Sequence, residues 1–476
     1  MIRFFKSLPK SVLLIAFLGT VLSVSINEFN RHHLNSNLPH QFGMIYTADE
    51  SSYLVPPENW VNIGEWKDNS IGLTAYYQRP PGYGAIYLIN YLLLKENALL
   101  GMKILQICIF FFSCIVFWKI LKELRLPPKW QYVTMAIFSF LPSYSGFIYF
   151  SITEGVTPFF MLWSVYEFFR SNKKNQPTIR LIISSALLLL IRPQLAVFPL
   201  MGILYFLVQK NYKTVAFMTL AFLPISVWYV RTAFISEEIP SIHPIYSATN
   251  NHLYRPTHAA LTDIYRVWEY RSDVFHSHIG KAVSGDSNQL KIAVEEIPTQ
   301  YRQEMIELLY EFSALSNYRV KHFSGKPIKG FYKGELEFIS KTKQLRKKFI
   351  EENPIDFYFK TPFNSALQFM NKSYLNLYIF QATFRGNFLV EGLRILCWFI
   401  FIGSFLLTFL IPLKVKWKSL EVALVVGIGL FLFYLVAFQR LNEERYIVPI
   451  MPLLLLLGAY SLFQFTNKRR RKIDFD

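Results

Sequence analysis

Apolar residues in this chain gather into long blocks separated by short polar connectors, instead of recurring at amphipathic spacing. A helix needs roughly 20 apolar residues to cross bilayer hydrocarbon. Blocks that reach or approach that length predict spans over Ser11 to Ile26, Ala98 to Trp118, Tyr132 to Ile148, Gly155 to Phe169 and Leu181 to Ile191. Further spans are predicted over Leu195 to Val208, Thr214 to Phe234, Leu393 to Leu413, Leu420 to Phe438 and Ile447 to Phe465. The fifth and sixth are short and form a pair broken at Arg192-Pro193. The predicted fold class is an all-α polytopic membrane protein with about ten transmembrane helices.

Charge gives the chain a direction. The formal net charge is +18, and it is parcelled into connectors: Lys119, Lys122, Arg125 and Lys129; Arg170, Lys173, Lys174 and Arg180; Lys210 and Lys213; Lys414, Lys416 and Lys418; Lys468 to Lys472. Lys and Arg collect in cytoplasmic loops, so both termini are expected there. A nucleic-acid partner is not expected, because these clusters are split by spans and lack interleaved stacking aromatics. The first block follows Arg3, Lys6 and Lys10, and no small-residue cleavage site precedes Glu28, so it reads as an uncleaved span. Cys108, Cys114 and Cys397 all fall in apolar blocks and imply no disulfide framework.

Tyr83 to Leu94 is apolar but too short to cross, starts after Pro80-Pro81 and ends at Lys95-Glu96-Asn97. Counting it as a span would turn every later basic connector outward, so it is expected to lie in the outer interface. Residues 1–235 then form an N-terminal membrane core with an external loop over 27–97. Residues 236–392 form an external cap, with amphipathic helices over Glu304 to Leu315 and Thr342 to Ile350. Residues 393–466 hold the C-terminal spans, and 467–476 a basic cytoplasmic tail.

This topology collects membrane-flanking charges on the external side: Asp49, Glu50, Arg79, Glu154, Arg192, Arg440, Glu443, Glu444 and Arg445. Charge at bilayer depth is costly unless it pairs or lines a polar cavity. Arginine suits bidentate binding of a lipid phosphate, and a nearby carboxylate can take a proton from an acceptor hydroxyl. Arg79, Arg192 and Arg445 are the candidate phosphate ligands. Asp49 is the candidate general base, and Glu154 a second acid that orients the acceptor or shares a divalent cation with Asp49. Each also has a plain structural reading. Asp49-Glu50 can cap a helix starting near Ser51-Ser52, Pro-Pro-Gly can only start a helix, Arg192 can snorkel, and Glu444-Arg445 can be an ion pair. His243, His252, His258, His276 and His278 lack convincing zinc spacing, and no Walker loop, Rossmann glycine pattern or nucleophile elbow is present.

Ala48-Asp49-Glu50, Arg79-Pro80-Pro81-Gly82-Tyr83, Glu154-Gly155-Val156-Thr157-Pro158-Phe159, Leu190-Ile191-Arg192-Pro193 and Glu444-Arg445-Tyr446-Ile447-Val448-Pro449 resemble segments of the GT-C integral membrane glycosyltransferases. The type is closest to the protein O-mannosyltransferase and lipid A aminoarabinose transferase group. The cap resembles that group only through Phe349-Ile350-Glu351-Glu352-Asn353-Pro354. The resemblance implies a GT-C bundle, a polyprenyl-phosphate-linked sugar donor, and an acceptor glycan, lipid or protein on the external face of a bacterial cytoplasmic membrane. It also implies Asp49 as the catalytic or metal-associated carboxylate and Arg79 near the donor phosphate, with Glu50, Tyr83, Glu444 and Tyr446 in support. No cofactor is certain, and a divalent cation at Asp49 and Glu154 is the one candidate. Glu154 departs from the Asp of many members of that group, and Arg79 from the Lys of the aminoarabinose enzymes. The competing readings are a polysaccharide polymerase or ligase, a glycoconjugate transporter, and a membrane scaffold.

Overall fold

The computed structural model describes residues 8–34, 44–45, 47, 49–68, 79–236, 255–269, 272–284, 296–323, 333–377, 384–413, 415–440 and 443–473. Ala48, His243, His252, and the side chains of His276 and of the basic tail lie outside the described residues. Among the described residues the regular structure is helical, apart from one isolated bridge between Ile45 and Phe150.

The helices are α1 (Lys10–Leu34), α2 (Ser51–Ile63), α3 (Pro81–Leu94), α4 (Ala98–Glu123), α5 (Pro128–Phe140), α6 (Thr157–Lys174), α7 (Ile179–Ile191), α8 (Val197–Val208), α9 (Tyr212–Thr219) and α10 (Leu223–Ser236). After them come α11 (Arg255–Tyr265), α12 (Ser272–Ser284), α13 (Arg302–Phe323), α14 (Lys333–Glu352), α15 (Thr361–Asn371), α16 (Phe388–Phe409), α17 (Leu420–Phe433) and α18 (Met451–Ile473). Among the described residues, five stretches are long and apolar enough to cross a membrane: Lys10–Leu34, Pro81–Glu123, Tyr212–Ile235, Phe388–Leu413 and Leu420–Gln439. Ile179–Ile191, Pro193–Val208 and Met451–Thr466 are shorter apolar helices, and α5 and α6 pack among them. The chain is an integral membrane protein with a helical bundle.

The stretch Pro81–Glu123 is not one rod. Lys95, at φ 50°, stops α3 in the left-handed region. The chain then turns back, so that a Cβ on Gly101 of α4 would meet Asn90 Oδ1 of α3 at 2.6 Å. At the other end of α3, a Cβ on Gly82 would meet the backbone of Leu190 and Ile191 at 2.6 Å. Helix α3 therefore starts against the end of α7 and finishes against the start of α4, both at one end of the bundle. Helix α3 covers the stretch Tyr83 to Leu94 that the sequence sets apart from the spans.

The expected span Tyr132 to Ile148 needs correction. Helix α5 stops at Phe140, because Pro142 has no N–H to give and holds Leu141 extended, at ψ 126°. Residues 141–156 continue as buried, mostly irregular chain. Irregular backbone survives at membrane depth only when protein groups satisfy it. Asn27 Nδ2 donates to the Ser145 carbonyl (3.0 Å), Asn376 Nδ2 to Ser143 (2.7 Å), Gln106 Nε2 to Phe150 (3.2 Å) and the Ile45 amide to Tyr149 (2.7 Å).

The two ends of the bundle differ in chemistry. At one end the basic connectors meet: Lys173 pairs with Glu123 (3.2 Å), Asn211 with Asn175 (2.9 Å), and Gln209 donates to the Lys418 carbonyl (2.8 Å). At the other lie α2, α3 and the cap built from α11 to α15. The cap has its own core, in which Trp268, Tyr301 and Phe349 stack beside Leu308, Phe312 and Phe338. The expected helices Glu304 to Leu315 and Thr342 to Ile350 lie inside α13 and α14. Arg440, buried and at φ 49°, fastens this cap to the bundle. Its guanidinium donates to the carbonyls of Arg266 and Phe357 and stacks on the Phe357 ring at 4.0 Å.

Candidate active site at the cap end

Each charged side chain of the candidate set sits where the backbone changes direction. Asp49 ends the turn before α2, and its carbonyl accepts from the Ser52 hydroxyl at 2.6 Å. Arg79 directly precedes Pro80 and Pro81, whose fixed φ starts α3. Glu154 lies on a short 3₁₀ turn over Thr153–Gly155, where a Cβ on Gly155 would collide with the Gln106 amide oxygen. Arg192 caps the end of α7, which cannot continue through Pro193. Arg445 lies on a second 3₁₀ turn, Glu444–Tyr446, after the reversal at Arg440.

These turns converge. Arg79 donates to Asp49 Oδ1 at 2.6 Å, and Arg445 donates to Asp49 Oδ2 at 2.6 Å. Arg445 also reaches Glu443 at 2.5 Å. Arg192 pairs with Glu154 at 3.1 Å. The Tyr446 ring joins the two pairs, with the Arg192 guanidinium 5.3 Å and that of Arg445 5.5 Å from its centre. Arg79 lies 5.2 Å from the centre of the Tyr53 ring, which the fully buried Tyr83 supports edge-on at 5.3 Å. Asp49, Arg79, Glu154, Arg192, Arg445, Tyr446 and Tyr83, all singled out from sequence, therefore lie in one cluster.

Exposure divides the cluster. The side chains of Asp49, Arg79 and Arg445 are 26%, 23% and 25% exposed, whereas those of Arg192 and Glu154 are 8% and 4%. The first three are partly exposed, whereas the second pair is buried and forms the cluster's floor. Burial works to push the Asp49 carboxyl up, but Arg79 and Arg445 outweigh it and hold Asp49 below the usual carboxylate range. Burial likewise works against the charge on Arg445, and Glu154, Glu443 and Asp49 overcome it.

Two supporting residues take other places. Glu50 stands at the start of α2 in helical conformation and makes no side-chain cap bond. It is buried near Glu58, whose carboxyl burial pushes up, with Glu50 adding to the effect, against a 2.5 Å hydrogen bond from Tyr87. Glu444 acts on Tyr374, whose phenol is pushed up by burial first and by Glu444 second. Arg440 stands outside the cluster as the cap's anchor. Sequence reasoning missed Gln106, and took Ser52 only as part of a helix start, whereas its hydroxyl accepts from Arg79 Nε at 3.1 Å. Glu443 carried one signal, a carboxylate two positions before Arg445.

The donor set does not fit a divalent cation in this arrangement. Hard cations need several oxygen ligands of uncompensated charge. Both Asp49 oxygens are taken by guanidinium groups, and Glu154 is shared between Arg192 and the Thr153 hydroxyl. Among the described residues, no group of three or more His, Cys, Asp and Glu side chains is placed to hold a metal.

No protein-family model and no curated protein sequence matches the chain. Solved structures do show similarity. The Archaeoglobus fulgidus oligosaccharyltransferase AglB, in complex with an inhibitory peptide and a dolichol-phosphate, is 14% identical with a TM-score of 0.43, covering 95% of this chain and 50% of that one. The Archaeoglobus fulgidus oligosaccharyltransferase in complex with Zn and sulfate is 12% identical with a TM-score of 0.41, covering 97% and 50%. ArnT from Cupriavidus metallidurans bound to undecaprenyl phosphate is 10% identical with a TM-score of 0.32, covering 94% and 77%. The chain spans about half the length of the oligosaccharyltransferase chains.

Proposed function

We propose that the cluster around Asp49 transfers a sugar from a polyprenyl-phosphate donor to an acceptor glycan, lipid or protein on the external side of the membrane. The observation that carries this reading is the clamp on Asp49: two guanidinium groups on separate elements, each aimed at one oxygen of a single anion at 2.6 Å. Guanidinium forks match phosphate as well as carboxylate, so a donor phosphate at headgroup level competes for Arg79 and Arg445.

That competition gives Asp49 its role. While both arginines hold it, its carboxyl is a weaker base than an unpaired carboxylate. A phosphate that draws the arginines away returns Asp49 toward ordinary basicity beside the reacting centre. The acceptor oxygen then attacks the anomeric carbon from the face opposite the phosphate. The bond from that carbon to the phosphate oxygen breaks, the electron pair leaves with the polyprenyl phosphate, and the acceptor's proton passes to Asp49. Arg79, Arg445 and the Arg192 floor stabilise the negative charge that develops on the leaving phosphate. Glu154 keeps Arg192 in place and is the candidate for orienting the acceptor.

Sugar transfer in membranes that hold the full chain tests the reading, followed as label passing from lipid-linked to acceptor-bound material. Asp49→Asn and Arg79→Ala are each expected to lose about 10²-fold or more, as when one aimed donor is removed from an electrostatic site. Normal transfer by both variants would remove the catalytic assignment.

A further inference from the structure

One surface of the cap is apolar and has nothing to do with the Asp49 cluster. Residues 354–371 are continuously helical, with a π turn over Asp356–Lys360 running into α15. The inner side of this helix is in use. Thr361, Ser365 and Phe369 are buried, the Thr361 hydroxyl donates to the Val267 carbonyl at 3.1 Å, and the Phe357 carbonyl accepts from Arg440. The outer side carries Ile355, Phe359, Phe363 and Leu367 at four-residue spacing, with Tyr358 beside them. Their exposures are 71%, 71%, 63%, 41% and 60%. Four-residue spacing on a helix makes a single stripe.

The stripe adjoins the membrane-facing surface of the bundle on two sides. The Met370 carbonyl, at the end of the helix, accepts from Trp398 Nε1 of α16 at 2.8 Å. Neighbouring residues of α16 turn Ile395, Leu396 and Phe399 outward. The inner side packs against the turn Tyr434–Gln439 that ends α17, where Phe433 and Phe438 are outward-facing. Helices α16 and α17 are among those long and apolar enough to span a membrane. Lys360, paired with Asp356 at 3.4 Å, flanks the stripe where a long cationic side chain reaches headgroups.

We propose that the stripe Ile355, Tyr358, Phe359, Phe363 and Leu367 is a lipid-docking surface, sunk into the headgroup and acyl boundary of the leaflet on the cap side. Its occupant is lipid because the stripe continues the surface of two membrane-spanning helices. The helix then holds the cap at four points: Val267 within the cap, Arg440 and Trp398 of the bundle, and the bilayer surface. Lipid contact here is independent of what the Asp49 cluster binds.

A photoreactive benzophenone residue placed singly at Phe359, Phe363, Phe399 or Lys347 of the full chain, in phosphatidylethanolamine and phosphatidylglycerol vesicles with labelled acyl chains, gives a direct test. Phe399 on α16 is the lipid-facing reference, and Lys347 on α14, with its side chain 77% exposed, is the water-facing one. Lipid adducts at 359 and 363 are expected within about threefold of those at 399 and about tenfold or more above those at 347. Adducts at the 347 level, or cross-links between two copies in place of lipid, would overturn the proposal. Hydroxyl-radical labelling of the unaltered protein gives a second reading that needs no variant. Tyr358 is 60% and Tyr310 of α13 is 42% exposed. In vesicles Tyr358 is expected to be labelled less than Tyr310 despite its greater exposure, and equal or heavier labelling would contradict lipid docking.

Discussion

Asp49 and Arg445 stand 396 positions apart and meet at 2.6 Å, so that the loop before α2 and the last connector are locked together over one carboxylate. Arg445 holds Glu443 with the same guanidinium, at 2.5 Å. A lysine ammonium is a compact point charge and lacks the planar fork that serves both carboxylates. Arg445→Lys should therefore retain the fold and lose about tenfold or more in transfer, the cost of roughly one charge-assisted hydrogen bond. Transfer assayed beside thermal unfolding separates the two effects.

The acidity of Asp49 has a sign that can be followed. Its carboxyl is held below its ordinary value of 3.8, so the folded protein binds this proton less readily than the unfolded chain. The stabilisation is complete above that value and is lost as the pH falls below it through the lowered folded value. Unfolding midpoints of the parent and Asp49→Asn, compared from pH 6 down to pH 3, should converge only at the acid end.

His278 makes the opposite end of the pH range informative. It is buried in the cap, where Tyr265 bonds Nδ1 at 2.8 Å and Glu296 bonds Nε2 at 2.7 Å. That network assigns the tyrosine hydroxyl as donor to Nδ1 and Nε2–H as donor to Glu296. Burial lowers the imidazole below its ordinary 6.5, against Glu296, which raises it, while Lys281 lowers it and Glu269 raises it. Folded His278 therefore resists protonation, and its contribution is full above pH 6.5 and falls as acid is added. The cap of the parent should lose stability between pH 7 and pH 5 faster than that of His278→Gln, measured by proteolysis or calorimetry.

Arg440 is a mechanical joint. Truncation to Ala leaves the carbonyls of Arg266 and Phe357 without this donor and removes a cation from the face of Phe357. Each buried acceptor left unpaired costs about 1–3 kcal/mol. Arg440→Ala should open the cap to limited proteolysis while the bundle stays intact. Arg440→Lys should restore only part of the protection, since one ammonium does not match the fork.

Gly82 sets how closely α3 approaches α7. A methyl group there meets the Leu190 and Ile191 backbone at 2.6 Å, beside Arg192 and three residues after Arg79. Gly82→Ala should cost about 1–3 kcal/mol as an overpacked contact, read as a lower unfolding midpoint, and should weaken transfer by moving Arg79.

The bundle was legible in the sequence wherever an apolar block ran uninterrupted, as in Ser11 to Ile26 within α1 and Leu393 to Leu413 within α16 and the turn after it. It was misread at Tyr132 to Ile148, because hydropathy does not separate a helix from irregular chain that Asn27, Gln106 and Asn376 keep satisfied from distant positions. The candidate site was legible for a different reason. Charge in an apolar chain is costly, so each of Asp49, Arg79, Glu154, Arg192 and Arg445 stood out singly. Their pairing was not legible, since no local rule links residue 49 to residue 445. Arg440 and Arg445 look alike in sequence, yet one binds carbonyls of the cap and the other binds Asp49.

The central claim is that Arg79 and Arg445 exchange Asp49 for a lipid phosphate. Binding of undecaprenyl phosphate to the purified full chain tests it most directly, with Arg79→Ala and Arg445→Ala measured at the same salt concentration. The account predicts saturable binding by the parent, and a Kd about tenfold or more higher in each variant, or about 1.4 kcal/mol for each tenfold step. A parent that does not bind, or variants that bind as tightly as the parent, would contradict it.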